Sequence, residues 1–411
     1  MLDSSRPSAD RPRLISPLSA GLGLGPLFED LARTAAGRET AAGLPHAEMA
    51  ALKAAGIGAL RLPVASGGGG VSLTDLFVVA RDLAAVDSNL AHAFRNHSWQ
   101  VEHALRHPTH ALHARVLELA AEHATVGLSF AETDAQAAGA PPSRVLSRID
   151  WDEARQIYRG SGVKPYATGN LYNDAFVGTA IDTRSGETVQ YLVERGEGVG
   201  TEDDWQGFGQ RLTGSGTMRF RDVTIAAIYP LDPPEREGAA PWRFTFHQIW
   251  LTNCIAGIAR RITLDAAEVL HRRGRNFYHG EAEHPSGEPV LQALLGRIRA
   301  YAAAIEAVTD RAVATLQQGW DARGGVDEYD AMLAATLAAS EAKVVADDLA
   351  PQLAGWLIDL GSGSVVSRGA ALDRHWRNIK VIAAHNPRLY KEQFLGRQQL
   401  TGALPPTGAF F

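Results

Sequence analysis

At 411 residues, with 45% hydrophobic content and a formal net charge of −6, the chain can bury a large core and carries too little basic charge to favour nucleic acid or anionic membrane as partner. No stretch approaches the roughly 20 apolar residues of a membrane span, and the opening MLDSSRPSADRPR lacks the apolar centre of a signal peptide, so a cytoplasmic protein acting on small molecules is expected. The single cysteine, Cys254, lies in the apolar run IWLTNCIAGIA, which excludes an intrachain disulfide or a cysteine-based metal cluster and points to a core thiol.

From Pro17 to His123 the segments LFEDLARTAAG, HAEMAALKAAG, LTDLFVVARDLAAVD and ARVLELAAEH place apolar residues three and four apart, so residues 1–124 are read as a helical domain. GLGLG at Gly21–Gly25 follows no strand and is read as a flexible lead-in, and Gly67–Gly70 lacks the Lys-Ser/Thr of a phosphate loop. Six histidines crowd His92–His113, but Pro108 breaks the spacing of His103 and His107 and no cysteine helps, so a metal site is not expected there. From Thr125 the period changes: ATVGLSFA, QIYRGSGV, DAFVGTAI, ETVQYLVER and GTMRFRDVTI alternate or are β-branched between Gly, Asp and Asn turns, which makes 125–238 a β domain. After Pro241 long alanine-rich helical patterns return, and residues 239–411 are expected to form a four-helix bundle with a tail, its spare apolar faces covered by partner subunits. The fold class is therefore mainly α with a central β domain.

Several passages in this order resemble landmarks of the acyl-CoA dehydrogenase superfamily over nearly the whole chain. LKAAGIGALRLPVASGGGGVSLTDLFVVARDLAAVDSNLAHAF is similar to its N-terminal passage, DWQGFGQRLTGSGTMRFRDVTI to its sheet passage, and IAGIARRITLDAAEVLHRRGRNF to the helix beside its flavin. The resemblance implies the acyl-CoA dehydrogenase fold, with an N-terminal helical domain, a middle β-barrel or sheet domain and a C-terminal four-helix bundle. It also implies a homotetramer whose flavin sites lie between sheet and bundle. The final segment, RHWRNIKVIAAHNPRLYKEQFLG, matches the family's closing helix, but His385-Asn386-Pro387 stands where a dehydrogenase carries a Tyr-Glu-Gly turn with the catalytic glutamate. A neutral amide at Asn386 cannot take the α-proton. The window Trp242–Thr263, where other members place that carboxylate, holds no Asp or Glu. The His-Asn-Pro ending resembles instead the branch typified by dibenzothiophene monooxygenase, which uses reduced flavin to activate oxygen.

By that resemblance His385 faces the flavin ring and His97, in AFRNHSWQ, reaches the pocket from the N-terminal domain; an imidazole near its ordinary pKa could pass a proton to the reacting oxygen. The plain alternative for His97 is a helix residue of no chemical role. Thr168, in VKPYATGN, matches a Ser or Thr beside the flavin pocket, with a strand-end threonine as the alternative. Ser129, Glu132 and Thr133 in SFAETDAQAAG resemble the family's flavin-side loop, although Glu132 could serve only to brace it. Arg211, Thr213 and Ser215 in QRLTGSG, with Arg275 in RRGRNF, fit the need of a flavin phosphate for charge and donors. The stretch DLGSGSVVSRG lacks the glutamine and aromatic of an adenosine pocket, which favours FMN while leaving FAD possible.

The expected activity is an FMNH2-dependent monooxygenation, through a C4a-hydroperoxyflavin, of a small apolar or heteroatom-containing substrate: S- or N-oxygenation or aromatic hydroxylation. With no nicotinamide fold in the sequence, a separate NAD(P)H:flavin reductase is implied. The rival readings are an acyl-CoA dehydrogenase or oxidase with a relocated base, and a flavin-binding paralogue without turnover.

Overall fold

The computed structural model describes residues 12–41, 43–132, 145–231 and 241–411. Helix α1 (Pro17–Gly21) precedes the GLGLG run and takes in only its first residue. Its N-cap Ser16 and Ser19 both donate to Asp82, at 2.5 and 2.7 Å, which anchors it on the core. Then follow α2 (Gly25–Thr40), α3 (His46–Ala54), α4 (Leu73–Val86), α5 (Ser88–Ala93), α6 (Arg95–Arg106) and α7 (Ala111–Ala121). Helix α4 starts at a reciprocal Ser72/Asp75 capping box and is buried without a break from Val79 to Val86.

Among the described residues the middle domain is one eight-stranded sheet: β1 (Val126–Ser129), β2 (Arg148–Asp152), β3 (Ile157–Lys164), β4 (Ala175–Asp182), β5 (Thr188–Glu194), β6 (Val199–Glu202), β7 (Thr217–Ile225) and β8 (Ile228–Pro230). Its order is β6-β7-β3-β2-β4-β5-β8, with β1 parallel to β4 so that Val126 faces Ala175. The apolar face, including Phe176, Tyr191, Met218 and Phe220, forms a core of its own. That core also swallows an ion pair.

The C-terminal domain is built from α8 (Thr245–Arg272), α9 (Pro289–Asp321), α10 (Glu328–Gly361), α11 (Arg374–Ala384) and α12 (Arg388–Thr401). Helix α8 is its axis: every residue from Thr245 to Ala259, Cys254 among them, is buried. It lies close against α4 because Gly257 has no side chain, and a Cβ there would stand 2.6 Å from the Arg81 carbonyl. Helix α11 is fixed on α8 by Asp265, which accepts from Arg374 at 3.2 Å and lies 2.7 Å from His375 Nε2. Burial alone would raise the Asp265 carboxyl, but His375, Arg261 and Arg374 outweigh it and hold the group at about 2. The same helix reaches the sheet domain, where Asn378 Oδ1 accepts from the Gln210 amide at 2.6 Å. No helix among the described residues is long and apolar enough to cross a membrane.

Candidate active site

Two buried polar groupings meet where α5 and α6 are wedged between the sheet and the bundle. The first is a row of hydroxyls and amides. Ser129, at the end of β1, accepts from Asn170 Nδ2 at 3.1 Å. Thr213 Oγ1 donates to the Gln210 carbonyl at 2.8 Å and lies 2.7 Å from Ser215, whose hydroxyl donates to Thr168 Oγ1 at 3.0 Å. Thr168 therefore accepts one bond and keeps its own hydroxyl hydrogen for another partner. The turn that carries it is held tightly: Asn96 Nδ2 donates to the Thr168 carbonyl at 3.0 Å, and Gly169, at φ +84°, packs so that a Cβ would meet the Ala93 carbonyl at 2.4 Å.

The second grouping is a cluster of nitrogen bases around one guanidinium. Arg95, at the start of α6, donates from Nη1 to His385 Nε2 at 3.1 Å. Arginine can only donate, so His385 Nε2 accepts and its proton rests on Nδ1, which is buried without a partner. His92 Nδ1 donates to Gln210 Oε1 at 2.9 Å, which leaves the lone pair of His92 Nε2 equally unpartnered. His247 Nδ1, Arg95 Nε and Asn386 Oδ1 are also buried without partners. Asn386 Nδ2 donates to Gln248 Oε1, so the amides of the C-terminal turn and of α8 touch each other. Trp99 stacks on His247 at 5.2 Å and Phe410 sets its edge against His385 at 5.3 Å, which gives the cluster apolar walls.

Burial first, then the Arg95 charge, pushes His92 down to about 3 and His385 and His247 well below the usual histidine range. The three imidazoles are thus neutral at pH 7. His385 offers a fixed N–H as a hydrogen-bond donor rather than the imidazole titrating near neutrality that its ordinary pKa would give. Gln210 joins the two groupings: its side chain holds His92 and Ser88, its carbonyl holds Thr213 and Trp205, and its backbone is left-handed at φ +51°. Such a conformation in a non-glycine residue is strained and concentrates at functional positions.

His385, Thr168, Ser129, Thr213 and Ser215 all lie in these two groupings. His97 lies elsewhere: its Nε2–H donates to the Gly58 carbonyl and its Nδ1 accepts from the Val126 amide, both at 3.0 Å, so neither nitrogen is left for a cofactor or substrate. Glu132 is inside the sheet domain, paired with Lys164 and accepting from Ser147 at 3.3 Å, which is the bracing role. Thr133 lies outside the described residues. Arg211 is exposed at the surface beside Leu212. Arg275 is exposed just beyond α8, in a cleft of about 1290 Å³ that also holds Arg33, Arg261, Arg272, Arg273 and Arg374. His247 is near the other end of the same 28-residue helix, which puts Arg275 about 40 Å from the nitrogen cluster of its own chain. The sequence reading missed His92, Arg95, Gln210, His247 and Gln248. The one signal that pointed toward them was the density of histidine and amide side chains in NLAHAFRNH and FHQIW.

Family models described as the acyl-CoA dehydrogenase N-terminal domain and C-terminal domain match residues 27–123 and 249–387, more than half of the chain. A probable FMNH2-dependent monooxygenase, SfnC of Pseudomonas putida, is 26% identical over 92% of this chain and 94% of its own length. Dibenzothiophene monooxygenase of Rhodococcus qingshengii is 23% identical over 93% of each chain. Among solved structures, the methanesulfinate monooxygenase MsuC of Pseudomonas fluorescens superposes with a TM-score of 0.82 at 24% identity, covering 97% of this chain and 100% of the other. FMN-bound TdsC of Paenibacillus sp. A11-2 gives 0.83 at 23% identity, covering 95% and 100%.

Proposed function

We propose that this chain, which belongs to the acyl-CoA dehydrogenase superfamily, is a monooxygenase that takes reduced FMN and O2 and oxygenates a small heteroatom-containing molecule. The observation that carries this reading is the amide pair Asn386–Gln248. The C-terminal turn and the first bundle helix, the two places where dehydrogenases of the family carry their base, both present neutral carboxamides, in contact with each other. Neither can accept a proton from carbon. The relatives named FMNH2-dependent and dibenzothiophene monooxygenases support the same direction.

The buried row fits the polar edge of a flavin. Thr168 has a hydroxyl hydrogen to give, Ser215 and then Thr213 are held in line with it, and Asn170, two residues on, holds Ser129. When bound, reduced FMN supplies the two electrons that activate oxygen. The chain's own contribution is positioning and exclusion of water: His385 donates a hydrogen bond from Nδ1 toward the reacting oxygen, Arg95 fixes that tautomer, and Trp99 and Phe410 keep the cluster dry. The Arg275 cleft suits a phosphate, and its distance along α8 means that the Arg275 serving a given site comes from a second copy. We read the assembly as an oligomer for that reason, as a homotetramer by the family resemblance, and a separate NAD(P)H:flavin reductase as the source of reduced flavin.

The test couples the protein to such a reductase with FMN and offers methanesulfinate, dibenzothiophene or indole under 18O2. One labelled oxygen atom in a product supports the reading. Bleaching of bound oxidised flavin by an acyl-CoA, with no labelled product, overturns it in favour of a dehydrogenase with a relocated base.

A further inference from the structure

Among the described residues the buried arginines follow a rule with one exception. Arg38 bonds Asp87 at 3.0 Å, Arg81 pairs with Asp310, and Arg374 bonds Asp265 at 3.2 Å. Arg95 is just as buried, at 6% exposure, and among the described residues no carboxylate reaches it. Of its five N–H donors, one Nη1 hydrogen is used, on His385, and Nε is buried with no acceptor. No charged or titratable group around it compensates: the Cys254 thiol, the one group that favours the charge, is pushed up to about 12 by burial and carries no charge at pH 7. His92 and His247 are neutral, Lys343 is already neutralised by Asp347 at 2.6 Å, and Lys391 holds the Phe410 carbonyl at 2.6 Å. Burial lowers even the guanidinium, to about 10.

A lone buried cation is costly unless something pairs with it. We propose that Arg95 is the recognition group for a small organic oxyanion, a molecule with two oxygens on one centre such as a sulfinate or a carboxylate, and that this anion is the substrate class of the site. The planar guanidinium matches two such oxygens in a forked contact, which an ammonium cannot reproduce. The unpartnered His385 Nδ1–H offers one further donor, and the Trp99 and Phe410 rings face the cluster from the apolar side. A neutral heteroaromatic would leave the charge uncompensated. The inference deepens the oxygenase reading and relies on it only for what happens to the anion once bound.

The experiment measures binding, not turnover. The protein saturated with oxidised FMN is titrated with ethanesulfinate and, separately, with neutral dimethyl sulfone, by calorimetry and by flavin difference spectra, for wild type, Arg95→Met and Arg95→Lys. Ethanesulfinate is expected to bind at least tenfold more tightly than the sulfone, to lose at least tenfold in Arg95→Met, and to recover partly in Arg95→Lys. Arg95→Met is expected to melt at or above the wild-type temperature, because it removes an uncompensated charge, so lost binding cannot be put down to misfolding. Equal binding of the anion and the sulfone, or undiminished sulfinate binding in Arg95→Met, overturns the proposal. A second arm titrates reduced FMN anaerobically. If Arg95→Met loses reduced FMN while keeping the sulfinate, the guanidinium serves the flavin's own negative charge and the proposal is likewise overturned. Sulfinate that binds through Arg95 but gains no oxygen under 18O2 upholds the anion site and removes the oxygenase reading, so the two failures are distinct.

Discussion

His97 is the sharpest place to separate structure from chemistry, because resemblance assigns it to the pocket and geometry assigns it to the frame. It is fully buried, and its ring is the bolt between α6, the turn at Gly58 and the first residue of β1. His97→Ala removes two bonds and leaves the Gly58 carbonyl and the Val126 amide buried without partners, at about 1–3 kcal/mol each, with a further cost for the cavity. A loss of about 4 kcal/mol follows. His97→Gln, which can keep one bond, should lose about half as much. The pH dependence is a second signature. Burial, offset only in part by the Gly58 carbonyl, lowers His97 to about 4, against roughly 6.5 in the unfolded chain. Between those values the unfolded chain binds a proton that the native one refuses, so stability falls as pH falls, by about 1.4 kcal/mol per pH unit from this residue. Urea titrations at pH 7, 6 and 5 should show this acid-side slope in wild type and a shallower one in His97→Gln. If His97→Gln keeps wild-type stability and slope but no longer couples flavin oxidation to product, the structural assignment is wrong.

Glu132→Leu strands Lys164 inside the sheet domain and should cost about 3–5 kcal/mol in thermal or urea melts, while Glu132→Leu/Lys164→Met should return most of it; FMN affinity should follow neither change. Gly169→Ala forces an L side chain to φ +84° against the Ala93 carbonyl, a penalty of at least about 1–2 kcal/mol, and by displacing Thr168 it should weaken FMN binding as measured by flavin fluorescence. Arg275→Glu, at an exposed position, should leave the melting temperature unchanged and reduce FMN affinity at least tenfold. If a second copy supplies Arg275, mixing refolded Arg275→Glu and Thr168→Val chains should regain activity that neither has alone.

The order of helices, sheet and bundle was legible because the apolar period changes near Thr125 and back after Pro241. The short strands β2, β6 and β8 were not, since RIDWD, VGTE and IYP are too brief to show alternation. Helices α5 and α6 fell within the expected helical domain but without bounds of their own, for the opposite reason. Every residue from Arg95 to Ala104 is buried, polar ones included, so no apolar stripe marks the helix. The same concealment explains why suspicion fell on His97 and not on His92 or Arg95. Residues five apart on a helical path point about 140° away from each other, and only the tertiary neighbours say which direction is the pocket. The hydroxyl row was readable from its glycine-flanked turns at ATGN and LTGSG, whereas Gln210, whose side chain joins sheet to helix across 118 residues, has no local signature. In the window Trp242–Thr263, His247 and Gln248 line the site, but one histidine and one glutamine in an apolar helical run carry no signature of it.

Those missing carboxylates also account for the electrostatics of the site. A carboxylate at position 386 would lie next to His385, whose Nε2 is bonded to Arg95, and against Gln248. It would place a negative charge near Arg95 and draw the neighbouring imidazoles back toward their ordinary range. With an amide there instead, the guanidinium is left as an isolated positive charge, and that charge together with burial holds His92, His247 and His385 neutral. One change of side chain from acid to amide therefore removes the base that proton abstraction needs and leaves the Arg95 guanidinium without a carboxylate nearby. These two consequences belong to one another, since restoring the acid would reverse both.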